Sequence, residues 1–149
     1  MEHELDRWFF IIHRCRHAFL REKFGRLDVE VRLLPFVLFL SEHQGVRQED
    51  LSSYTGLDKP TVAHAVKRLV HLGYVVRERN PEDRRSYRLA LSQQGKRLLP
   101  RVRSAMQQWN EAVLASLTDD ERQTLEVLLG RLARAAGELT GREANGVTS

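Results

Sequence analysis

The chain has 149 residues, 42% hydrophobic and 30% charged, with a formal net charge of +4. That balance excludes the disordered class and makes one domain the default, with room for an appended dimerisation element. The longest apolar run, Leu33 to Leu40, is interrupted by Pro35 and falls far short of the ~18 residues that would suggest a membrane span. The acidic start MEHELDR lacks a signal-peptide layout, which predicts a cytoplasmic location. The single cysteine, Cys15, allows neither an intramolecular disulfide nor a cysteine metal cluster.

Leu5 to Lys23 reads as a helix, because Trp8, Phe9, Ile12, Cys15 (or Arg16), Phe19 and Leu20 recur at three- and four-residue spacing. Gly25 breaks it. Val29 to Glu42 reads as a second helix with Val31, Leu34, Val37 and Leu38 toward the core. Pro35 in its middle removes a backbone donor and predicts a kink, unless the helix begins near that residue. Gln48 to Tyr54 is a short helix, and Gly56 suits the left-handed position at its C-terminus. Asp58 is an N-cap and Pro60 sits in the first turn, where its missing N–H costs nothing. This helix runs to about Leu72 and is stopped by Gly73. Val62, Ala65 or Val66, Leu69 and Leu72 form its apolar stripe, and Lys59, Thr61, Ala63, His64, Lys67, Arg68 and His71 form its other face.

Two short helices joined by a glycine turn make a helix-turn-helix. Tyr74 to Arg79 and Ser86 to Leu91 then read as strands, with Asn80-Pro81-Glu82-Asp83 as turn chemistry between them. This hairpin is a wing, and Arg84 and Arg85 lie near its tip. Ser92 caps a long helix to about Leu117, in which Pro100 predicts a bend. Thr118-Asp119-Asp120-Glu121 is a capping box, and a final helix follows with Leu125, Leu128, Leu129, Leu132 and Leu139 on its apolar side.

Charge is distributed unevenly along this order. Residues 59–103 hold 12 Lys/Arg against three acids, and the rest of the chain is net acidic. A basic middle between acidic ends is the footprint of a nucleic-acid surface. No nucleophile elbow, phosphate loop or HExxH motif is present, so nothing points to an enzyme or to a cofactor. A winged helix used for protein contact alone would have a neutral recognition face and a short wing, and this chain has neither.

The chain resembles the MarR family of winged-helix regulators. The matching residues are Leu51, the Gly56-Leu57 turn, a recognition helix of the type KPTVxxxVxxLxxxGYVxR from Lys59 to Arg77, a wing of the type NPxDxRxxxLxLSxxG from Asn80 to Gly95, and LTxxExxxLxxLLxRL from Leu117 to Leu132. The resemblance implies a mainly α fold with a small β-wing (α+β). It implies one domain over 1–149, with a winged helix-turn-helix lobe at about 46–91, helical dimerisation regions at about 5–23 and 92–139, and a flexible tail at 140–149. It also implies a homodimeric repressor that binds a pseudo-palindromic operator in double-stranded DNA and is released by a small aromatic effector. The large apolar residues of the terminal helices independently call for a partner surface.

A helix entering the major groove works through side chains on its outward face. Lys59, Thr61, Ala63, His64, Lys67 and Arg68 are the candidates. Thr61 and His64 suit base edges or phosphate, Ala63 suits a thymine methyl, and Lys67 and Arg68 suit phosphate, which adds affinity without sequence information. By resemblance, Arg85 enters the minor groove, Asp83 holds its guanidinium, and Arg84 adds a second contact. Cys15 is a structural thiol by its place inside the helix, with redox sensing as the alternative. His13 and His17 have metal-compatible i, i+4 spacing, with His43 or Glu42 as the residues that the fold would have to bring to them.

Overall fold

The structure, a computed structural model, describes residues 2–141. Most of the tail expected at 140–149 therefore lies outside the described residues. The elements in chain order are α1 (Glu2–Phe24), a 3₁₀ turn (Val31–Leu33), α2 (Leu34–Glu42), α3 (Gln48–Thr55), α4 (Lys59–His71), β1 (Val75–Arg79), β2 (Tyr87–Leu91), α5 (Gln93–Leu114) and α6 (Asp119–Leu139). This is a mainly α fold with a two-stranded antiparallel wing, in the winged-helix arrangement.

Helix α2 begins at Leu34, so Pro35 stands in its first turn, where an N–H is unpaired in any helix. The helix expected from Val29 is instead an extended residue at Glu30, a 3₁₀ turn and a short helix that begins beside Pro35, the alternative the sequence left open. Helix α5 runs through Pro100, which lies on its exposed face, and ends three residues before the expected Leu117. Its N-terminus is fixed by Ser92. The Ser92 hydroxyl accepts the Gly95 N–H at 3.0 Å and donates to the Gly73 carbonyl. Gly95 is required there: a Cβ would stand 2.2 Å from the Tyr74 carbonyl oxygen.

The core is central to the lobe. Leu34, Val37, Leu40, Leu51, Val62, Val66 and Leu69 are fully buried, and Leu89, Leu98 and Val102 close the cluster from β2 and α5. The wing pairs Val75 with Leu91 and Arg79 with Tyr87. An additional bridge joins Val46 to Leu89, with the Leu89 N–H donating to Val46 at 2.8 Å. It ties the segment before α3 to the wing, and nothing in the spacing of the sequence predicts it.

Only the C-terminal end of α1 enters this core, through Leu20 and Phe24. Phe19 meets Trp109 of α5 at 5.6 Å between ring centroids, and Arg16 donates to the Met106 sulfur at 3.0 Å. Burial pushes the Arg16 guanidinium below its ordinary pKa. The first half of α1 presents Leu5, Trp8, Phe9 and Ile12 to the outside, and α6 presents Val127, Leu128, Leu129 and Leu132. In α6 only Gly137 is buried. Among the described residues no helix is long and apolar enough to cross a membrane.

Candidate nucleic-acid interface

The recognition helix α4 is set by its first turn. The Asp58 carboxylate accepts the Thr61 N–H at 2.8 Å, and Gly56 ends α3 in the left-handed conformation at φ 65°. Val62, Ala65, Val66 and Leu69 are buried beneath the helix. At about 100° per residue, the opposite side carries Pro60, His64, Lys67 and His71. Lys59 and Ala63 fall on one flank, and Thr61 and Arg68 on the other. Lys59, Thr61, His64 and Lys67 are exposed, and Ala63 and Arg68 are half-buried.

Arg68 has an acidic partner. Its Nε lies 3.3 Å from Glu30 Oε1, and the other oxygen of that carboxylate receives Arg32 Nε at 2.6 Å. The Glu30 carboxyl is held below its ordinary pKa by the hydrogen bond from Arg32 first, and by the charges of Arg32 and Arg68. Arg68 is therefore a tethered cation and not a free outward one, because the segment before α2 passes along this flank of α4.

The wing tip is a built turn. Asn80, the buried polar residue, donates to the Ser86 hydroxyl at 3.1 Å and accepts the Glu82 N–H at 3.1 Å. The expected contact between Asp83 and the Arg85 guanidinium is corrected: Asp83 Oδ1 accepts the backbone N–H of Arg85 at 3.0 Å. A carboxylate two residues before an amide closes an Asx turn more readily than it reaches round to a long side chain. Asp83 thus shapes the backbone that carries Arg85. Among the described residues, neither Arg84 nor Arg85 has an ion-pair partner, and both are exposed. Glu82 instead pairs with Arg88 at 3.1 Å.

The fold adds cations that sequence adjacency does not reveal. Arg32 shares a cleft of about 520 Å³ with Leu33, Phe36, Leu57, His64 and Arg68. Arg47 and Arg77 share another with Asn80 and Tyr87, beside the wing turn. Of Arg32, Arg47 and Arg77, only Arg77 lies within the basic stretch at 59–103, and Arg32 and Arg47 carry no such signal in the sequence.

The remaining candidates are placed as follows. Cys15 is a free, exposed cysteine on α1. The His13 and His17 rings lie 6.5 Å apart, but no group of three or more metal-ligating residues occurs among the described residues. His43 stacks on Phe39 at 4.4 Å between centroids, and its Nδ1 lies 3.2 Å from the Phe39 carbonyl oxygen.

Comparison with known proteins matches this geometry. The MarR family model matches residues 31–86. The chain is 27% identical over 116 residues to the HTH-type transcriptional regulator BilQ of Clostridium symbiosum, covering 78% of this chain and 81% of that one. A crystal structure of a MarR transcriptional regulator from Methanosarcina mazei Go1 superposes with a TM-score of 0.81 at 29% identity, covering 92% and 99% of the two chains. A mutant MarR from E. coli, solved in complex with operator DNA, shares the fold with a TM-score of 0.77 at 23% identity, covering 87% and 93%. Over residues 31–86 the chain matches the model of the MarR family, and its fold is that of a solved MarR transcriptional regulator.

Proposed function

We propose that this chain is a homodimeric cytoplasmic repressor that binds an inverted-repeat operator in double-stranded DNA. The observation that carries the reading is the pairing of an outward polar stripe on α4 with a hydrogen-bonded wing turn bearing two exposed arginines that have no ion-pair partner among the described residues. Lys59, Thr61, Ala63, His64 and Lys67 address the major groove and its phosphates. Arg84 and Arg85 address the adjacent minor groove, where a planar guanidinium suits a narrow, negative channel. Arg68, paired with Glu30, lies on the flank of this stripe.

The exposed apolar faces of α1 and α6 support the dimer, since soluble monomers rarely leave such a surface uncovered. Two copies would set their recognition helices about 34 Å apart, one turn of DNA. An aromatic acid is the effector class that fits the cleft beside α4: Leu33, Phe36 and Leu57 offer an apolar wall, and Arg32 and Arg68, bridged by the single Glu30 carboxylate, leave one net positive charge. The exposed thiol of Cys15 supports a second route of release, by oxidation, and unchanged operator affinity after peroxide treatment would remove it.

The test is footprinting of the purified protein on its own upstream region at two salt concentrations. A protected inverted repeat whose affinity falls steeply with salt is the expected result. A folded dimer that protects nothing, there or in a genome-wide selection of bound fragments, would overturn the reading.

A further inference from the structure

Glu30 stands out because its charge opposes the task of the helix it touches. It precedes the 3₁₀ turn, and its own carbonyl accepts the Leu33 N–H at 2.8 Å. Its side chain makes no capping bond. The carboxylate is given wholly to Arg32 and Arg68, the latter 38 residues along the chain. The backbone beneath it is anchored on both sides, since Val29 and Leu33 are buried. Glu30 is therefore a fixed negative charge on the flank of the DNA-reading helix.

We propose that Glu30 is a positioning residue for DNA recognition, holding Arg68 off the phosphate backbone and so limiting sequence-independent affinity. The inference rests on the DNA-binding reading above. Arg68 belongs to the last turn of α4, away from the base-reading N-terminal half. A cation there contributes attraction to DNA but little sequence discrimination. A phosphate competing for Arg68 meets a charge-assisted bond of its own kind. Even if Arg68 moved, the short bond to Arg32 would keep the Glu30 carboxylate in place, next to the incoming phosphate. The local charge offered to DNA is one unit lower than the arginines alone would give. Less non-specific attraction widens the gap between operator and random DNA.

The experiment compares the salt dependence of binding to a non-operator duplex for wild type, Glu30→Gln, Arg68→Ala and the double variant. Gln keeps the backbone acceptor and the size of the side chain, and a thermal melt checks that each variant is folded. Glu30→Gln is expected to bind non-operator DNA more tightly at low salt, and to steepen the slope of log affinity against log salt by about 0.9, the value of one phosphate contact. Arg68→Ala in the Glu30→Gln background is expected to remove that gain. An unchanged slope, weaker binding, or a gain that survives Arg68→Ala would overturn the inference while leaving salt-dependent wild-type binding intact. Absence of salt-dependent binding by the wild type would overturn the DNA-binding reading and this inference with it.

Discussion

The winged lobe and the terminal helices are made from the same kinds of residue at the same helical spacing, and they end in opposite states. In the lobe, Leu51, Val62, Val66 and Leu69 are fully buried by neighbouring elements of the same chain. In the first half of α1 and along α6, Trp8 and Ile12 are each 51% exposed, Leu128 46% and Leu132 48%. Amphipathic periodicity says that a helix needs a cover, and it does not say whose. The lobe has its cover within the chain, and the terminal helices have theirs, on our reading, in a second copy.

That contrast can be broken most severely at α6. Leu132→Asp places a carboxylate where the proposed interface has no water, and an uncompensated buried charge costs several kcal/mol. Dimer affinity is expected to fall by more than about 100-fold, which corresponds to about 2.7 kcal/mol. Sedimentation should then give a monomer mass and a melting midpoint independent of protein concentration. A stable dimer at micromolar concentration would show that α6 is covered in some other way.

Next in size is the lobe itself. Leu51→Ala should destabilise it by about 2–5 kcal/mol in denaturant unfolding, the usual cost of an emptied core site. A loss under about 1 kcal/mol would mean that the site collapses readily and that α3 is held chiefly by its turns.

Arg85→Ala is expected to leave both regions intact and to act on DNA alone. Operator affinity should fall by about 1–3 kcal/mol, or roughly 5- to 150-fold, with the melting midpoint unchanged. Wild-type affinity in a titration of the folded variant would remove Arg85 from the groove.

The smallest effect concerns the start of α6. Glu121 accepts the Thr118 N–H at 2.8 Å, and Thr118 accepts the Glu121 N–H at 3.3 Å. Hydrogen bonds from the Thr118 backbone, and then from its hydroxyl, hold the Glu121 carboxyl below its ordinary pKa. A folded value below the unfolded one gives stability that is present above the unfolded pKa and lost as the pH falls through the folded one. Melting midpoints between about pH 7 and about pH 3 should therefore drop slightly less for Glu121→Gln than for wild type. Equal drops would mean that the box is frayed in solution.

Much of this was legible in the chain. The N-caps Asp58, Ser92 and Thr118 are local devices, each closing on an amide three residues away, and all three are found where the sequence places them. Pro35 is ambiguous in sequence because a proline is equally consistent with a kink and a first turn, and the 3₁₀ turn at Val31–Leu33, after which α2 begins at Leu34, decides it. Residue type and spacing do not separate the Arg85 backbone amide from its guanidinium as the partner of Asp83, and the fold of the turn selects the amide. The tether between Glu30 and Arg68 left no trace in the sequence: the two residues lie in different elements, and each alone reads as an ordinary surface charge.

The sequence by itself determined the order and type of the elements, the outward stripe of α4, and the basic wing. These follow from short-range periodicity, caps and turns, whose physics acts within a few residues. The tertiary structure decided which cations are free and which are held, how Val46 joins the wing through Leu89, and which apolar faces the chain leaves uncovered. Those depend on the packing of segments distant in sequence, where one salt bridge or one shared surface has no periodic signature.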